Sequence, residues 1–411
     1  MNENNIPKHW QIKKLGEVCK LKNGYAFKSG NYESNGVPVI RISDINGGFV
    51  SSKNVVRVIP KDDYEDYQVE ENDILVAMSG ATTGKFGIYK SSEKAYQNQR
   101  VGKFKILDER ILNNNFLFYQ INSLKRQIEK DAYGGAQPNI SSSKIEQMQI
   151  VVPPLPEQQA IVAKIEELFS ELENGKQQLL TAQQQLKVYR QSLLKCAFEG
   201  KLTNKNVKEG ELPEGWKNIE LRNITESIQY GYTESSSKEV VGPKFLRITD
   251  IQDNKVDWDT VPYCKIDNET KKKYLLREGD LVFARTGATV GKSFLIKGVI
   301  PDAVFASYLI RVRVNLNINE KYLSYFFHSP NYWSQITEGQ VGIGQPNVNG
   351  TKLGQLKIII PPIIEQKLIV SELESKLTLC DKIEETIAEC LQQTETLKQS
   401  ILKKAFEGKL I

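Results

Sequence analysis

A block of 50 residues occurs twice in this chain, and the repeat constrains the fold more than any other feature of the sequence. Pro153-Pro154-Leu155-Pro156-Glu157-Gln158 returns 208 positions later as Pro361-Pro362-Ile363-Ile364-Glu365-Gln366. At the same offset, Leu194-Lys195-Cys196-Ala197-Phe198-Glu199-Gly200-Lys201-Leu202 returns as Leu402-Lys403-Lys404-Ala405-Phe406-Glu407-Gly408-Lys409-Leu410. Residues 153–202 align with 361–410 without a gap, and 19 of the 50 pairs are identical. Coincidence does not do this over such a length, so the architecture has to be built twice. The preceding segments repeat more faintly. Arg41-Ile42-Ser43-Asp44-Ile45 matches Arg247-Ile248-Thr249-Asp250-Ile251, and Gly80-Ala81-Thr82-Thr83-Gly84-Lys85 matches Gly287-Ala288-Thr289-Val290-Gly291-Lys292. Gln137-Pro138-Asn139-Ile140 matches Gln345-Pro346-Asn347-Val348, and Pro7 and Trp10 match Pro213 and Trp216. The order is lobe (1–152), connector (153–202), linker with a second lobe (203–360), and connector (361–411).

Each connector reads as one long helix. Glu157 to Phe198 holds no proline and a single glycine, Gly175, and is rich in good helix formers. Its apolar residues, Ile161, Ile165, Leu168, Leu172, Leu179, Ala182, Leu186, Tyr189 and Leu193, alternate by fours and threes once Gly175 fills one place. That spacing is the seam of a coiled coil. The second connector repeats the phase with Ile369, Leu373, Cys380, Ile383, Ile387, Cys390, Leu397 and Ile401, interrupted at Lys376 and Thr394. A proline pair precedes each helix, and Gly200 and Gly408 suit a left-handed cap after each. About 40 helical residues span roughly 60 Å. An apolar stripe needs a partner, and a duplicated chain supplies one. If a pseudo-twofold axis relates the halves, the two helices run antiparallel and the lobes lie at opposite ends of the rod. A coiled coil between separate chains is the alternative; the matched length and phase of the two seams favour the pair within one chain.

The lobes read as mixed α/β. Strands are expected at 37–42, 73–78, 244–248 and 280–284, and helices at 113–129 and 321–336. Gly287-Ala288-Thr289-Val290-Gly291-Lys292-Ser293 resembles a phosphate-binding P-loop, but it has three residues between its glycines where that loop needs four. Its twin ends in Lys85-Phe86, without the hydroxyl that would hold magnesium. Both are read as tight strand-to-strand turns. Catalytic equipment is sparse: the two histidines, His9 and His328, stand at unrelated positions. No Cys/His cluster has zinc spacing, and no nucleophile elbow or dinucleotide fingerprint is present. The Pro-Pro pairs follow Val152 and Ile360, not the acidic or amide residue an amino-methyltransferase would need. Five scattered cysteines fit a reducing cytoplasm, the polar N-terminus lacks a signal peptide's apolar core, and no apolar run is long enough for a membrane span. The net charge of +5 permits a nucleic-acid partner without demanding one.

From end to end the chain resembles the specificity subunit of Type I restriction–modification systems. The resemblance lies in Pro-Pro-Leu-Pro-Glu-Gln-Gln (153–159) opening a long helix, Ala-Phe-Glu-Gly-Lys-Leu (197–202) closing it, and Leu212-Pro213-Glu214-Gly215-Trp216 opening the next lobe. The Gly-Ala-Thr-x-Gly-Lys and Gln-Pro-Asn sequences inside each lobe match too. The resemblance implies two target-recognition domains, each reading half of an asymmetric bipartite site in double-stranded DNA. It implies helices that set the spacer and dock two modification (methyltransferase) subunits, with restriction subunits adding translocation and cleavage. On this reading the chain is not an enzyme and holds no cofactor. S-adenosylmethionine, ATP and magnesium are bound by its partners.

Phosphate contacts position a protein on DNA, and base-edge contacts specify. Lys85 and Lys292, at the repeated turns, are phosphate candidates. Arg41 and Arg247 are further candidates, although Asp44 and Asp250 lie close enough to pair with them. Base readers should differ between lobes. Tyr96-Gln97-Asn98-Gln99-Arg100 lies opposite Val304-Phe305-Ala306-Ser307-Tyr308, which makes Gln97, Asn98, Arg100, Ser307 and Tyr308 candidates. Tyr133 and Gln340, in the loops before the Gln-Pro-Asn repeat, complete the set; Gln137, Asn139, Gln345 and Asn347 suit a structural turn. A coiled-coil scaffold whose lobes bind protein or glycan is the competing reading. It accounts for the helices, but not for lobes that share a skeleton and differ in segments.

Overall fold

In the computed structural model, which describes residues 6–132, 138–204, 206–208, 210–252, 254–338 and 348–411, the two repeats fold into matching series of elements. The first is β1 (Gln11–Lys14), β2 (Cys19–Asn23), β3 (Val37–Ile40), β4 (Ile74–Ala77), β5 (Phe86–Tyr89), β6 (Ala95–Gln97), β7 (Val101–Ile106), α1 (Asn114–Ala132), β8 (Gln149–Val152) and the long helix α2 (Leu155–Phe198). The second is β9 (Lys217–Glu220), β10 (Thr225–Tyr230), β11 (Lys244–Leu246), β12 (Leu281–Ala284), β13 (Ser293–Leu295), β14 (Ala303–Phe305) and β15 (Leu309–Val314). It continues with α3 (Glu320–Phe326), α4 (Pro330–Glu338), β16 (Lys357–Ile360) and the long helix α5 (Ile363–Phe406).

Two units emerge, and the boundary between them falls inside both long helices. The first holds Met1–Leu179 with Glu389–Ile411, and the second holds Leu180–Ala388. In the first, β2, β7, β4 and β5 pair antiparallel in that order, β3 pairs with β6 in parallel, and β1 pairs with β8. In the second, β10, β15, β12 and β13 repeat the antiparallel order, β11 pairs with β14 in parallel, and β9 pairs with β16. All four residues of β4 and of β12 are buried. Successive side chains of a strand face opposite ways, so each such strand serves two cores. Ile74 and Val76 join the helix-covered core, while Leu75 and Ala77 face a second cluster. Leu281 and Phe283 part from Val282 in the same way.

The long helices complete these cores at both ends. In the first unit Ile161 and Ile165 from α2 join Leu402, Ala405 and Phe406 from α5, with the Phe406 ring 5.4 Å from that of Phe116. In the second, Phe198 packs 5.2 Å from Tyr322 and 5.3 Å from Phe326, beside Ile369 and Leu373. The repeated sequences are the joints. Glu157 accepts the Trp10 indole N–H at 2.8 Å, and Glu365 accepts that of Trp216 at 2.8 Å. The indole bond, helped by His9, holds the Glu157 carboxyl below the usual glutamate range. Gln158 is fully buried: it accepts the Asn113 N–H and donates to the Ile111 and Pro153 carbonyls, each at 2.8 Å. Gln366 accepts the Asn319 N–H at 2.8 Å and donates to the Pro361 carbonyl at 2.9 Å. Gly200 and Gly408 have φ of +77° and +67°, and a Cβ at either would lie 2.4 or 2.3 Å from Pro213 or Pro7.

The two helices run antiparallel within each unit. Glu173 meets Lys398 at 3.3 Å and Lys176 meets Glu395 at 3.7 Å, while Arg190 meets Asp381 at 2.7 Å and Glu384 at 3.1 Å. Ile161, Ile165, Leu193, Ile369, Leu373 and Ile387 are buried, and Leu172, Leu179, Leu186 and Ile401 half-buried. Other expected seam positions differ. Tyr189, Ile383 and Leu397 are 49%, 42% and 49% exposed, whereas Thr394, read as an interruption, is buried. In α5 every seventh position, Leu373, Cys380, Ile387 and Thr394, is buried, so the heptad phase holds and only the alternate positions Ile383 and Leu397 turn outward; Arg190 and Lys398, next to Tyr189 and Leu397, reach the facing helix as half-buried cations. The helix expected at 321–336 is two, α3 and α4, because Pro330 has no N–H to continue the ladder and instead opens α4.

Candidate nucleic-acid interface

In the first unit the turn after β4, the start of β7 and the segment from Pro138 converge. The Met78 N–H donates to the Arg100 carbonyl at 2.9 Å, the Ile140 N–H to the Met78 carbonyl at 2.9 Å, and the Gly80 N–H to the Pro138 carbonyl at 3.0 Å. Thr83 ties the same turn, its hydroxyl donating to the Gly80 carbonyl at 2.7 Å. Between these strands lies a hollow of about 540 Å³ whose walls include Asn23, Met78, Ser79, Gln99, Arg100 and Asn139. The Ser79 hydroxyl is buried without a partner among the described residues. Arg100 is exposed, and no carboxylate pairs with its guanidinium among those residues. A polar hollow with a free cation at its edge suits an anionic ligand rich in hydrogen-bonding groups.

The second unit builds the same frame from other side chains. The Arg285 N–H donates to the Tyr308 carbonyl at 3.0 Å and the Val348 N–H to the Arg285 carbonyl at 3.1 Å, repeating the pattern of Met78, Arg100 and Ile140. Asn23 sits opposite Gly102, and Tyr230 opposite Ile310. Asn23, Met78 and Arg100 therefore occupy the backbone places of Tyr230, Arg285 and Tyr308. The glycines that follow, Gly24 and Gly231, are forced: a Cβ there would lie 2.1 Å from the Gln97 or Ala306 carbonyl oxygen. Behind this frame each unit holds a cation of its own, buried in the second unit and half-buried in the first. Arg311 donates to the Leu275 carbonyl at 2.8 Å, and burial, with Arg313 adding, pushes its pKa down to about 10, so it stays charged at neutral pH. Lys103 takes that place in the first unit, donating to the Gln68 carbonyl at 2.6 Å and to Asp73 at 3.1 Å.

The model of the family described as Type I restriction modification DNA specificity domain matches residues 7–182 and again 213–393. The chain belongs to this family. The specificity subunit of the type I restriction enzyme EcoKI from Escherichia coli (strain K12) is 26% identical over 423 residues, covering 100% of this chain and 91% of its own. A solved chain from a structural study of complex assembly and conformational transition of the type I R-M system superposes with a TM-score of 0.76 at 20% identity, covering 98% of this chain and 99% of that one. The HsdS subunit from Thermoanaerobacter tengcongensis superposes with a TM-score of 0.63 at 20% identity, covering 98% of each chain. At that identity the two structures show a shared fold.

In this specificity-domain chain the expected site residues fall into distinct places. Lys85 and Lys292 are exposed on the repeated turns, with no ion pair among the described residues. Asn98 is half-buried, its side chain accepting the Arg100 N–H at 3.4 Å. Ser307 is half-buried and Tyr308 is 63% exposed. Gln97 is a correction: it is buried, and its amide nitrogen donates to the Lys22 and Val101 carbonyls at 2.7 and 2.6 Å, so it serves the frame and not a base. Arg41 and Arg247 take the aspartate pairing that the sequence also allowed. Each caps a short 3₁₀ turn and pairs with its aspartate, Arg41 with Asp44 at 3.3 Å and Arg247 with Asp250 at 2.8 Å. Arg247 meets Asp250 through both Nε and a terminal nitrogen, and that bond raises its pKa, whereas Arg41 meets Asp44 through Nε alone. Tyr133 and Gln340, with Gln137, Gln345 and Asn347, lie outside the described residues. Asn23, Met78, Tyr230 and Arg285 were missed. The signal for them lay in the residues just outside each repeated Gly-Ala-Thr turn and at the end of each lobe's second strand. Among the described residues no group of three or more His, Cys, Asp or Glu is placed to hold a metal ion, and no helix is long and apolar enough to cross a membrane.

Proposed function

We propose that this protein is the DNA-reading subunit of a Type I restriction–modification complex. Each unit recognises one half of an asymmetric bipartite site, and the long helices set the gap and dock the modification and restriction subunits. One observation carries the reading. Two units of one fold place different side chains, Asn23, Met78 and Arg100 against Tyr230, Arg285 and Tyr308, on the same backbone frame beside exposed lysines at 85 and 292. Such a pair presents two unlike hydrogen-bonding faces to an anionic duplex, which is what two unlike half-sites require.

Docking is supported by apolar surface left on the helix pair. In the second unit Val188 and Leu379 are 61% and 60% exposed, and a hollow of about 430 Å³ is lined by Leu186, Tyr189, Leu379 and Ile383. Exposed patches of this kind mark protein contacts. The chain itself is proposed to be non-catalytic and cytoplasmic, with S-adenosylmethionine, ATP and magnesium held by its partners.

The test is to co-express the chain with its modification subunit and map methylated adenines in host DNA. A bipartite sequence with a fixed gap, lost when this chain is deleted, is the expected result. A stable complex that adds no methylation would instead favour a scaffold whose lobes bind other ligands.

A further inference from the structure

Most arginines near the second unit's frame are spoken for. Arg247 is paired with Asp250, Arg313 with Asp280 at 2.8 Å, and Arg311 with the Leu275 carbonyl. Arg285 differs. Its half-buried side chain makes no hydrogen bond or ion pair among the described residues, unlike Arg311, which also has an unpartnered Nε and lies over Phe305 but donates to backbone carbonyls; the Arg285 guanidinium lies 5.0 Å over the Tyr230 ring. Tyr230 is fixed in turn, its hydroxyl accepting the Gly350 N–H at 2.8 Å. The Arg285 backbone is held on both sides, by the Tyr308 carbonyl and the Val348 N–H. A guanidinium held over an aromatic ring by cation–π attraction leaves its terminal N–H groups free to donate, and the contact limits the rotamers it samples. The result is a rigid planar fork on the frame that in the first unit walls the polar hollow.

The two units supply that fork from opposite strands. In the first, Met78 stands where Arg285 does, and the guanidinium comes from Arg100, at the place of Tyr308. The frame therefore keeps one arginine at its mouth while moving it from one wall to the other. A phosphate anchor would have no reason to move between repeats, as Lys85 and Lys292 do not. A base reader would, because it has to meet a different edge in each half-site.

Resting on the function proposed above, we propose that Arg285, held over Tyr230, reads a guanine edge in the half-site bound by the second unit. The planar fork matches the O6 and N7 acceptors of guanine in the major groove.

The test uses the complex assembled with the modification subunit and carrying Arg285→Met, which installs the first unit's residue, or Arg285→Gln, whose amide matches adenine. Methylated adenines are mapped for each. Arg285→Met should relax one G·C position of one half-site, lowering discrimination there by roughly 5- to 150-fold, and leave the other half-site unchanged. Arg285→Gln should shift that position toward A·T, which a merely misfolded variant would not do. An unaltered motif with both variants would overturn the inference. So would a loss of methylation uniform across sequences, the mark of a phosphate contact. A wild-type complex that methylates no bipartite sequence would overturn the proposed function along with it, so the two failures are distinguishable.

Discussion

Replacing Gln158 with leucine tests why Pro-Pro-x-x-Glu-Gln is written twice. The side chain is fully buried, and its amide satisfies three backbone groups: the Asn113 N–H, the Ile111 carbonyl and the Pro153 carbonyl, each at 2.8 Å. Leucine keeps the volume and the helix propensity, so the change falls almost wholly on hydrogen bonding. A buried backbone group left without a partner costs about 1–3 kcal/mol. Three such groups, less about 1–2 kcal/mol regained by burying leucine in place of an amide, leave a net loss of about 1–8 kcal/mol. That is a large share of an ordinary domain's stability. Hydrogen exchange read by mass spectrometry separates the units, because peptides from α1 and β8 report on the first and those from α3 and β16 on the second. Opening in the first unit should speed up by at least about fivefold and by up to several orders of magnitude, with a much smaller change in the second. Gln366→Leu should give the reverse pattern. An effect below about fivefold, or an equal loss in both units from either change, would refute the idea that this glutamine locks each helix to its own unit.

Inserting one heptad into α2 and one into α5 at matching seam positions lengthens each helix by about 10 Å, or up to about three base pairs of B-DNA. Methylation mapping should then show a wider gap between unchanged half-sites, and an unchanged gap would contradict the spacer role. Burial pushes the Cys19 and Cys264 thiols up to about 12 and about 11, so neither should be alkylated by iodoacetamide at pH 8 in the folded protein. The half-buried Cys196 and Cys390 should react, and labelling of Cys19 at their rate would show that its burial is wrong. The depressed Glu157 carboxyl stabilises the fold above the ordinary glutamate range, and that contribution is lost as pH falls through its folded value. The Trp10 indole N–H resonance should therefore shift on acidification in the wild type but not in Glu157→Gln; the same titration in both would refute the linkage.

Much of this architecture was legible without coordinates because it rests on local, periodic signals. Apolar spacing, the absence of proline and a capping glycine suffice to place two helices of 44 residues and to bound them within a few positions. The gapless repeat implies matching lobes, and short apolar runs mark the strands buried on both faces, β4 and β12. What failed did so where a decision belongs to three dimensions. The seam keeps its heptad phase at Leu373, Cys380, Ile387 and Thr394, yet Tyr189 and Leu397 are left about half exposed, because which seam positions are covered depends on how the facing helix lies against them. Gln97 and Arg100 look alike as candidates on one segment, yet the strand pairing sends the first into the interior and the second to the surface. Arg285 carried no mark of its own. Its standing depends on Tyr230, 55 residues earlier in the chain, which only sheet pairing brings beneath its guanidinium. Sequence determined that this protein is built twice and joined by paired helices, since periodicity and repetition are properties of the chain. Tertiary structure decided which polar side chains the two frames present, because that depends on which strands lie side by side.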